Sequence, residues 1–411
     1  MRDHTKAWLP SSVTSDGAPR RNANVHGLRV ALVTSSYNHI RDGVALTLNR
    51  LVDYLERHGV KVLVFAPVAG TPALTHCGDL VPVPSIPLPM RPEYRLVLGL
   101  PRSLERQLLD FRPDIIHIAV PDLLGFRALR LAKERKIPVV GSYHTRYETY
   151  FKHYWYIRPF TRPAALYLRW FWGACREVYV PSPSMAEMLL AEGFRNNFQL
   201  WPRGVDSDRF NPAKRSSDWR ARYGIGEGEF VVLHVARLVR EKRLDTVIAA
   251  ARRLEAGGTA CRFVFVGDGP ERKTMEAQLP RAIFTGSLEG EELSMAYASA
   301  DVFVFASETE SFGNVTLEAM ASGLPCVCAD ATGSRSLVVA EQTGYLVSPG
   351  SAEGFASRIA TLAADPALRR QMSEAARLRS LAFSWDDAMA RILGHYEDIV
   401  SEPGVVVDHS P

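Results

Sequence analysis

The sequence lacks several features that would decide its class at once. It has no run of apolar residues close to the ~18 that cross a bilayer, so we expect no transmembrane helix. Its 5 cysteines show neither C-x-x-C spacing nor paired histidines, which argues against a zinc site and a disulfide framework. Neither sign of charge dominates, since 49 Lys and Arg stand against 45 Asp and Glu. The net charge of +4 is compatible with anionic ligands or a membrane surface but does not indicate a nucleic-acid-binding protein.

What is present is an ordinary globular composition. With 411 residues, 46% of them apolar, the chain is long enough for two or three domains of ~150 residues. Residues 1–25 are polar and have no apolar core like that of a signal peptide, which predicts a disordered tail, no export and a cytoplasmic location. Cys326 and Cys328 flank Val327 in an apolar run, which predicts a buried strand in a reducing compartment.

Short β-branched and apolar runs alternate with helical patterns along the whole chain. This alternation predicts parallel sheets covered by helices on both faces. The predicted strands are residues 29–34, 60–66, 114–119, 139–143, 230–236, 262–267, 282–286, 301–306, 325–329 and 345–347. A break near residues 202–206 separates two doubly wound domains of comparable size, and the polar segment 211–219 behind it is interpreted as a linker. Ligands of such sheets lie outside the carboxyl ends of the strands.

The densest chemical signal follows the predicted strand that ends at Ala306. A loop carrying Glu310 leads into a helix that starts near Gly313 and Asn314. The first amides of a helix have no internal partners and lie at its positive dipole end, so they form a ready anion site. Glu318, on the first turns, is then within reach of a group beside the phosphate, such as a ribose diol. The alternative is that Glu310 is a solvated loop acid and Glu318 complements the helix dipole.

Two cations and a glycine-rich turn lie at other strand ends of the same predicted sheet. Arg237 ends one strand and Lys242 follows it, so the pair can neutralise a diphosphate leaving group, although such a pair in a loop is often plain surface charge. Gly267, Asp268 and Gly269 end the next strand. Their glycines permit a tight turn under a flat ring or a phosphate, and the same residues also make good turn chemistry without a ligand.

Together these pieces resemble the donor domain of retaining glycosyltransferases of family 4, which have the GT-B fold. They span about half of the chain in the order expected of the family: Pro202-Arg-Gly-Val-Asp206, Ala236-Arg237, Glu241-Lys242, Gly267-Asp-Gly-Pro270, Phe284-Thr-Gly286 and Glu310-x7-Glu318. The resemblance implies that Arg237 and Lys242 hold the donor pyrophosphate. It also implies that Glu310 and the amides of Gly313 and Asn314 meet the sugar and phosphate, and that Glu318 binds the ribose.

The first half of the chain resembles the same family, but its motifs differ more from the family's pattern. Asp42-Gly43-Val44 opens the helix after the first strand, where the family often has two glycines that contact phosphate and acceptor. His144, in Gly141-Ser-Tyr-His-Thr145, follows a buried strand where the family places a histidine near the reacting sugar. These motifs look closest to GDP-mannose-dependent α-mannosyltransferases and sulfoquinovosyl-diacylglycerol synthases. Many of these enzymes act on lipid-linked acceptors.

The resemblance implies a domain plan and a set of site residues. The predicted domains are an acceptor-binding domain at 26–203, a donor-binding domain at 204–383, a helix at 384–400 that returns to the first domain, and tails at 1–25 and 401–411. The predicted catalytic residues are His144, Glu310, Arg237 and Lys242. The predicted donor-binding residues are Asp42, Gly43, Arg237, Lys242, Gly267, Asp268, Gly269, Gly286, Glu310, Ser311, Phe312, Gly313, Asn314 and Glu318.

One segment stands out by its aromatic content. Residues 147–172 hold 11 of the 39 aromatic residues, among them Trp155, Trp170 and Trp172, with Lys and Arg interleaved. A basic, aromatic and amphipathic stretch suits an interfacial membrane contact or the mouth of a lipid-acceptor site. The alternative is an aromatic helix pair packed against its own domain, because aromatics also fill cores well.

The sequence thus predicts a retaining hexosyltransferase that needs no metal and no cofactor beyond its nucleotide-sugar co-substrate. GDP-mannose as donor and a glycolipid or other lipid-linked acceptor are the first choice. A UDP-sugar-dependent glucosyl or sulfoquinovosyl transferase to diacylglycerol, a polysaccharide-assembly enzyme and a non-catalytic sugar-binding protein remain alternatives. Asp206-Ser-Asp208 matches the D-x-D metal signature of another glycosyltransferase fold, but it falls in the interdomain connection. The lack of G-x-G-x-x-G after the first strand argues against a nicotinamide dehydrogenase.

Overall fold

The computed structural model describes residues 27–88, 91–144 and 161–402, with the side chains of 91–93 left aside. The predicted tail at 1–25, residues 147–160 of the aromatic segment and residues 403–411 lie outside the described residues. The chain divides into two compact units. Residues 27–202 together with 386–402 form what we call the first unit, and residues 203–385 form the second unit.

The first unit is built on a parallel sheet of seven strands in the order β3-β2-β1-β6-β7-β8-β9. The strands are Arg29–Val33 (β1), Lys61–Ala66 (β2), Asp79–Pro82 (β3), Ile115–Ile118 (β6), Val139–Ser142 (β7), Glu177–Val180 (β8) and Phe198–Leu200 (β9). A separate antiparallel hairpin is formed by Ser85–Leu88 (β4) and Arg91–Val97 (β5). The helices before residue 203 are Gly43–Arg57 (α1), Arg102–Asp110 (α2), Leu123–Glu134 (α3), Thr161–Gly173 (α4) and Pro183–Ala191 (α5).

The second unit repeats this plan with six parallel strands in the order β12-β11-β10-β13-β14-β15. Its strands are Val231–Val235 (β10), Arg262–Val266 (β11), Ile283–Gly286 (β12), Val302–Phe305 (β13), Cys326–Ala329 (β14) and Gly344–Val347 (β15). Its helices are Ser217–Arg222 (α6), Leu244–Ala256 (α7), Arg272–Gln278 (α8), Gly290–Ala298 (α9), Asn314–Ala321 (α10), Ser334–Leu337 (α11), Ala352–Ala364 (α12) and Pro366–Ser380 (α13). Two 3₁₀ turns lie at Pro212–Lys214 and Arg240–Lys242.

The central strands are buried on both faces, as their continuous apolar runs require. Every residue of β10, β13 and β14 is buried, and so is every residue of β6. Covering such strands needs helices on both sides of the sheet, which is why strand and helix alternate along the chain. The buried strand predicted around Cys326 and Cys328 is confirmed.

The last helix, Trp385–Ser401 (α14), packs within the first unit although it follows the second unit in the chain. Its apolar face is buried through Met389, Ile392 and Tyr396. The Tyr396 hydroxyl lies 2.5 Å from Nδ1 of His117 on β6, and both side chains are fully buried. Burial lowers the pKa of His117 to about 3, so its imidazole is neutral and can share a hydrogen bond with the phenol.

In each sheet the order in which strands are added reverses at one point. In the first unit β1 pairs with β2 on one side and with β6 on the other, and in the second unit β10 pairs with β11 and with β13. After β1 and after β10 the chain first adds two strands on one side, and the later strands, beginning with β6 and β13, are added on the opposite side. The loops that follow β1 and β6, and those that follow β10 and β13, therefore lie at the positions where doubly wound sheets bind ligands.

The fold class and the ten predicted strands are confirmed, each strand to within one residue of its observed ends. The prediction of a linker at 211–219 is wrong. Trp219 on α6 is buried, and the Arg220 guanidinium beside it donates to the carbonyl of Ser299 at 2.8 Å, so this polar segment is part of the second unit's core shell. Among the described residues, no helix is both long and apolar enough to cross a membrane.

Candidate functional site

The loops that follow β10 and β13 are tied to each other by two ion pairs. Lys242 Nζ lies 2.5 Å from Glu310 Oε1, and both side chains are only 20% exposed. Arg243 Nη1 lies 3.3 Å from Glu308 Oε1. The Ser307 hydroxyl donates to the same Glu310 oxygen at 2.8 Å. The sequence predicted Lys242 and Glu310 as site residues, and the structure brings them into direct contact at the carboxyl edge of the sheet.

Arg237 and Lys242 present positive charge at this edge. Arg237 is exposed, and within the described part of the chain its guanidinium forms no ion pair. The Lys242 ammonium has three donors, and the contact with Glu310 uses one of them. This leaves both cations able to bind oxygen atoms of an anion such as a diphosphate.

The helix after β13 begins without a side-chain cap. Gly313 occupies the cap position with φ +97°, a left-handed conformation that suits glycine, and no side chain among the described residues accepts from the first amides. The first amides that bond inside the chain are those of Thr316 and Leu317, both to the carbonyl of Gly313. The amides of Asn314 and Val315 are therefore left to face an external acceptor at the positive end of the helix dipole.

The neighbouring residues shape this helix start in different ways. The Phe312 ring is buried and packs edge-on against Phe383 with centroids 6.0 Å apart, so only the backbone of Phe312 can meet a ligand. Gly333 lies beneath the loop, where an added Cβ would be 2.8 Å from the carbonyl oxygen of Phe312. Ser311 is partly exposed, and Asn314 is exposed on the first helical position. The loop is thus packed against the body of the second unit through Phe312 and Gly333.

Glu318 has a partner that sequence reasoning missed. The hydroxyl of Tyr297 on α9 donates to Glu318 Oε2 at 3.0 Å. Burial, and after it the Glu318 carboxylate, raise the pKa of Tyr297 well above its usual value, so the phenol stays protonated and keeps donating. The Phe210 ring packs edge-on against Tyr297 at 5.6 Å and fixes its position. Tyr297 lies on the buried face of α9, and nothing in the sequence of that helix marked it as more than a core residue.

The turn at Gly267, Asp268 and Gly269 is locked against the loop that follows β10. A Cβ on Gly267 would be 1.9 Å from the carbonyl oxygen of Ala236, and one on Gly269 would be 2.3 Å from that of Leu238. Only glycine lets the two backbones approach this closely. The amide of Gly267 also donates to the carbonyl of Gly286 at 2.8 Å. The predicted residues of this turn and Gly286 are therefore brought together beside the loop of Arg237.

The acidic residue of the turn is engaged at the surface. Asp268 Oδ2 lies 3.3 Å from Arg272 Nη1, and the Asp268 side chain is 58% exposed. Arg272 also donates from Nη2 to the carbonyl of Phe284 at 3.1 Å, which ties α8 to β12. In the described chain Asp268 thus acts as part of a surface network around the turn.

In the first unit, Asp42 caps the helix after β1. Its Oδ1 accepts from the amide of Ala45 at 2.8 Å and its Oδ2 accepts from the Ser36 hydroxyl at 2.9 Å. Gly43 is the first residue of α1. A carboxylate at a helix start satisfies an amide and adds negative charge, so this arrangement does not favour a phosphate at the same place.

The helix after β6 has the same kind of cap. Asp122 accepts from the amide of Gly125 at 3.0 Å and from the Ser35 hydroxyl. Burial raises the pKa of Asp122, although both of these donors favour its charged form.

His144 lies two residues after the end of strand β7 in a nearly buried position, with 8% of it exposed. Its Nε2 lies 2.8 Å from the Ser142 hydroxyl, and its ring meets Trp201 edge-on at 5.3 Å. Trp201 in turn lies 5.9 Å from the ring of His117, which is the partner of Tyr396. A chain of buried rings therefore connects the C-terminal helix to His144 inside the first unit. Thr145 lies outside the described residues.

A metal would need a cluster of ligands, and none of three or more His, Cys, Asp or Glu side chains is found across residues 27–88, 91–144 and 161–402. Asp206, the first residue of the D-x-D match, accepts from the amide of Arg209 at 3.0 Å and so stabilises a turn. What the second unit offers instead is two cations, open helix amides and two carboxylates along one sheet edge. That combination can bind a diphosphate together with hydroxyl groups on either side of it.

Comparisons with known proteins identify the family of the chain. The family described as glycosyl transferases group 1 matches residues 216–379, and the one described as glycosyltransferase family 4 matches residues 41–209. A GDP-mannose-dependent α-mannosyltransferase of Mycobacterium tuberculosis is 36% identical over 378 residues, which cover 91% of this chain and 97% of that protein. A sulfoquinovosyl transferase of Arabidopsis thaliana is 36% identical over 353 residues, covering 83% of this chain and 68% of that protein.

A solved structure with the same fold is that of sucrose-phosphate synthase from Thermosynechococcus elongatus. It superimposes with a TM-score of 0.73 at 22% identity, over 90% of this chain and 99% of that one. At this level of identity the likeness speaks for the fold alone.

Proposed function

The chain belongs to the group 1, family 4 glycosyltransferases, and on that basis we propose that it transfers mannose from GDP-mannose to a lipid-linked acceptor, with retention and without a metal ion. Membership makes it a hexosyltransferase of the GT-B fold. The choice of donor is supported by the mycobacterial α-mannosyltransferase, which aligns over nearly its whole length. The observation that carries the proposal is the uncapped helix start at Gly313 beside Arg237 and Lys242.

In the proposed reaction, the bond from the sugar to the diphosphate breaks while charge builds on the leaving oxygens. Arg237, Lys242 and the amides of Asn314 and Val315 stabilise that charge. Losing one such donor typically costs ~3 kcal/mol, or 10²–10³ in rate. Because the Lys242 ammonium is held by Glu310 and the amides are fixed by the helix, these donors need little reorganisation at the moment of reaction.

The remaining residues hold the donor in place. Glu310, oriented by Lys242 and Ser307, accepts hydrogen bonds from sugar hydroxyls, and Ser311 lies beside it. Glu318, oriented by Tyr297, accepts the ribose hydroxyls. The backbone of Gly267, Asp268, Gly269 and Gly286 lines the side of the site next to Arg237.

Within the part of the chain that the structure describes, the donor side of the site shows no evident nucleophile. Glu310 already accepts from two neighbours, and a carboxylate paired with a lysine is a poor nucleophile. We therefore propose that the acceptor attacks from the side of the leaving group and that the departing phosphate assists by taking the acceptor proton. His144, held by Ser142 and Trp201, orients the sugar.

A second candidate is a UDP-sugar-dependent transferase that moves glucose or sulfoquinovose to diacylglycerol. It is favoured by the plant sulfoquinovosyl transferase, which is as similar in identity as the mycobacterial relative but aligns over 68% of its own length. Both candidates use the same diphosphate site. They differ in the base and the sugar, which other contacts select.

Titration calorimetry with GDP-mannose, UDP-glucose, UDP-galactose and UDP-sulfoquinovose separates the two candidates. We expect the tightest binding with GDP-mannose, unchanged binding and transfer in the presence of EDTA, and an α-linked product by NMR. Tightest binding of a UDP-sugar would select the second candidate. Absence of binding for every activated sugar, or loss of transfer with EDTA, would contradict the proposed mechanism.

A further inference from the structure

The residue that follows Lys242 has a backbone conformation that its side chain does not favour. Arg243 has φ +53° and ψ +44°, in the left-handed region that residues other than glycine, asparagine and aspartate seldom adopt. Its amide donates to the carbonyl of Arg240, and its carbonyl accepts from the amide of Thr246 at 3.1 Å. Arg243 thus joins the 3₁₀ turn to the helix α7 at a position where glycine would meet no steric cost.

The Arg243 side chain makes contacts that a glycine could not make. Its Nη1 lies 3.3 Å from Glu308 Oε1 in the loop after β13, and its buried Nε lies 3.6 Å from Asp245 Oδ1 on α7. An ideal Cβ on Gly350, which follows β15, would be 3.1 Å from Nη2. The guanidinium therefore lies against the loops after β13 and β15, while its backbone belongs to the segment after β10.

The loop after β13 depends on such side-chain contacts. Among the described residues, the amides of residues 308–310 donate no hydrogen bond to another backbone group. Side chains hold the loop instead, since Lys242 pairs with Glu310 and Arg243 pairs with Glu308. Two consecutive cations after β10 thus bind two acids of one loop, and the left-handed turn between them is part of this arrangement.

Donor binding affects the two ion pairs differently. In the proposed function, Lys242 also binds the leaving diphosphate, so its three donors are divided between Glu310 and the phosphate oxygens. The guanidinium of Arg243 is already held between Glu308, Asp245 and Gly350. The pair of Arg243 with Glu308 can therefore stay closed and keep the loop in place while Lys242 takes up the phosphate.

We propose that Arg243 is a positioning residue, which holds the loop after β13 through Glu308 so that the Glu310 carboxylate meets the sugar of the donor. The inference rests on the proposed function, because it needs a sugar beside Glu310. Binding of the diphosphate alone should depend on Arg243 much less, because the amides of Asn314 and Val315 belong to the helix α10 and not to the loop.

Calorimetry with the nucleotide sugar that binds tightest, and with its own nucleoside diphosphate, tests this difference. Arg243→Asn introduces a residue that tolerates the left-handed conformation but is too short to reach Glu308. We expect its affinity for the nucleotide sugar and its kcat/KM to fall about tenfold, because Glu310 is misplaced. Its affinity for the diphosphate should change by no more than about twofold. Arg243→Lys keeps a cation that can reach Glu308 and should recover both losses to within about threefold of the wild type.

A double-mutant cycle identifies the partner of Arg243. Glu308→Gln removes the charge that the guanidinium binds, so it should weaken nucleotide-sugar binding as much as Arg243→Asn does. The variant with both changes should lose no more than either single variant, because both changes break the same contact. Losses that multiply in the double variant would overturn the inference, since the two side chains would then act independently.

Glu341 provides a matched control for the backbone change. In the second unit it is the other residue besides glycine with a positive φ, at +64°. It precedes β15 and so lies at the opposite edge of the parallel sheet from the site. Glu341→Asn should therefore leave binding and transfer at wild-type values. The thermal unfolding midpoints of Glu341→Asn and Arg243→Asn should both stay within about 2 °C of the wild type.

Two results would make the role of Arg243 merely structural and overturn the inference. One is a lower unfolding midpoint in Arg243→Asn accompanied by equal losses for the nucleotide sugar and the diphosphate. The other is a loss of binding in Glu341→Asn as large as that in Arg243→Asn.

The wild-type protein separates this inference from the proposed function. Absence of nucleotide-sugar binding in the wild type would contradict the proposed function, and the role of Arg243 with it. Binding and transfer by the wild type, matched in affinity and rate by Arg243→Asn, would contradict the role of Arg243 alone.

Discussion

The two sheets place the N-termini of helices at equivalent positions, but the residues at the cap positions of these helices differ. In the first unit the helices that follow β1 and β6 are capped by carboxylates, Asp42 and Asp122, in extended conformation. In the second unit the helices that follow β10 and β13 have Arg243 and Gly313 at their cap positions, each with a left-handed backbone conformation. Among the described residues, no side chain caps either helix. The topology is the same, so the difference lies in single residues.

This difference decides which sheet edge can receive a diphosphate. An aspartate at the cap position fills the place of an external anion and repels a second negative charge. A glycine at that position leaves the amides open, and an arginine adds positive charge. A doubly wound sheet therefore provides the place for a ligand, while the cap residues determine the charge of the ligand that fits.

The strongest test removes the cations from the second unit. Lys242→Ala and Arg237→Ala should each lower transfer at least a hundredfold, because each loses a donor to the leaving diphosphate. Arg240→Ala is the matched control, since Arg240 pairs with Glu271 at the surface and should change kcat/KM by no more than about twofold. Wild-type rates in both test variants, measured on folded protein, would remove the diphosphate role.

The next test converts the second unit's helix start into one like that of the first unit. Gly313→Asp places a carboxylate where the diphosphate should lie, and Gly313→Asn introduces the same shape without charge. Both residues tolerate the left-handed conformation better than other side chains do. We expect donor affinity in the aspartate variant to be about 30-fold below that of the asparagine variant, or ~2 kcal/mol. Equal affinities by calorimetry would show that the amides do not meet the phosphate.

A smaller effect is expected from Tyr297→Phe, which removes only the hydroxyl that orients Glu318. Loss of a hydrogen bond to a charged group should weaken donor binding about tenfold. An analogue that lacks the ribose hydroxyls should bind the wild type and the Tyr297→Phe variant with equal affinity, because Glu318 accepts no hydrogen bond from it. Tyr345→Phe, in a buried tyrosine whose ring contacts Arg358, is the control. An equal loss for both ligands would make the role of Tyr297 merely structural.

The smallest effect on donor affinity is expected from substitutions of Asp42, which caps the helix α1 in the first unit. Asp42→Ala should cost ~1 kcal/mol of the free energy of unfolding, while Asp42→Asn should keep most of it because asparagine caps equally well. Neither change should alter donor affinity by more than about twofold. A tenfold change in the donor Kd in both variants would instead establish Asp42 as a donor contact, as the family resemblance implied.

Much of the fold could be predicted because its main signal is strong. Buried strands such as β10 and β13 are short, mainly apolar runs, and most of the ten predicted strands are of this kind. The strands β3, β4, β5, β8 and β9 were missed. The strands β3 and β9 lie at the edges of their sheet and β4 and β5 form the separate hairpin, where burial is partial and the apolar pattern is weak. The strand β8, in contrast, is largely buried inside the sheet, and its four residues begin with the charged Glu177. The segment 211–219 was mistaken for a linker because its one buried anchor, Trp219, lies among polar residues.

The site residues that belong to sequence motifs could be predicted, whereas those that reach the site through packing of the fold could not. Lys242, Glu310 and Gly313 stand at strand ends, and the structure places them along one sheet edge. Tyr297 escaped notice because it lies on the buried face of α9, where a tyrosine fills the core equally well, and nothing in the sequence shows that its hydroxyl meets Glu318. The capping role of Asp42 was also unforeseen, since an aspartate before a glycine fits a ligand contact and a helix cap equally well.

The position of the last helix has a consequence for how the protein is made. Residues 386–402 leave the ribosome after the whole of the second unit, yet they complete the first. Until then His117 lacks its partner Tyr396, and the apolar surface that Met389 and Ile392 later cover is not yet covered by α14. The unit that is synthesised first is therefore completed last. Nascent chains that end before Trp385 should therefore resist proteolysis in the later-made unit while the earlier-made one remains open to cleavage.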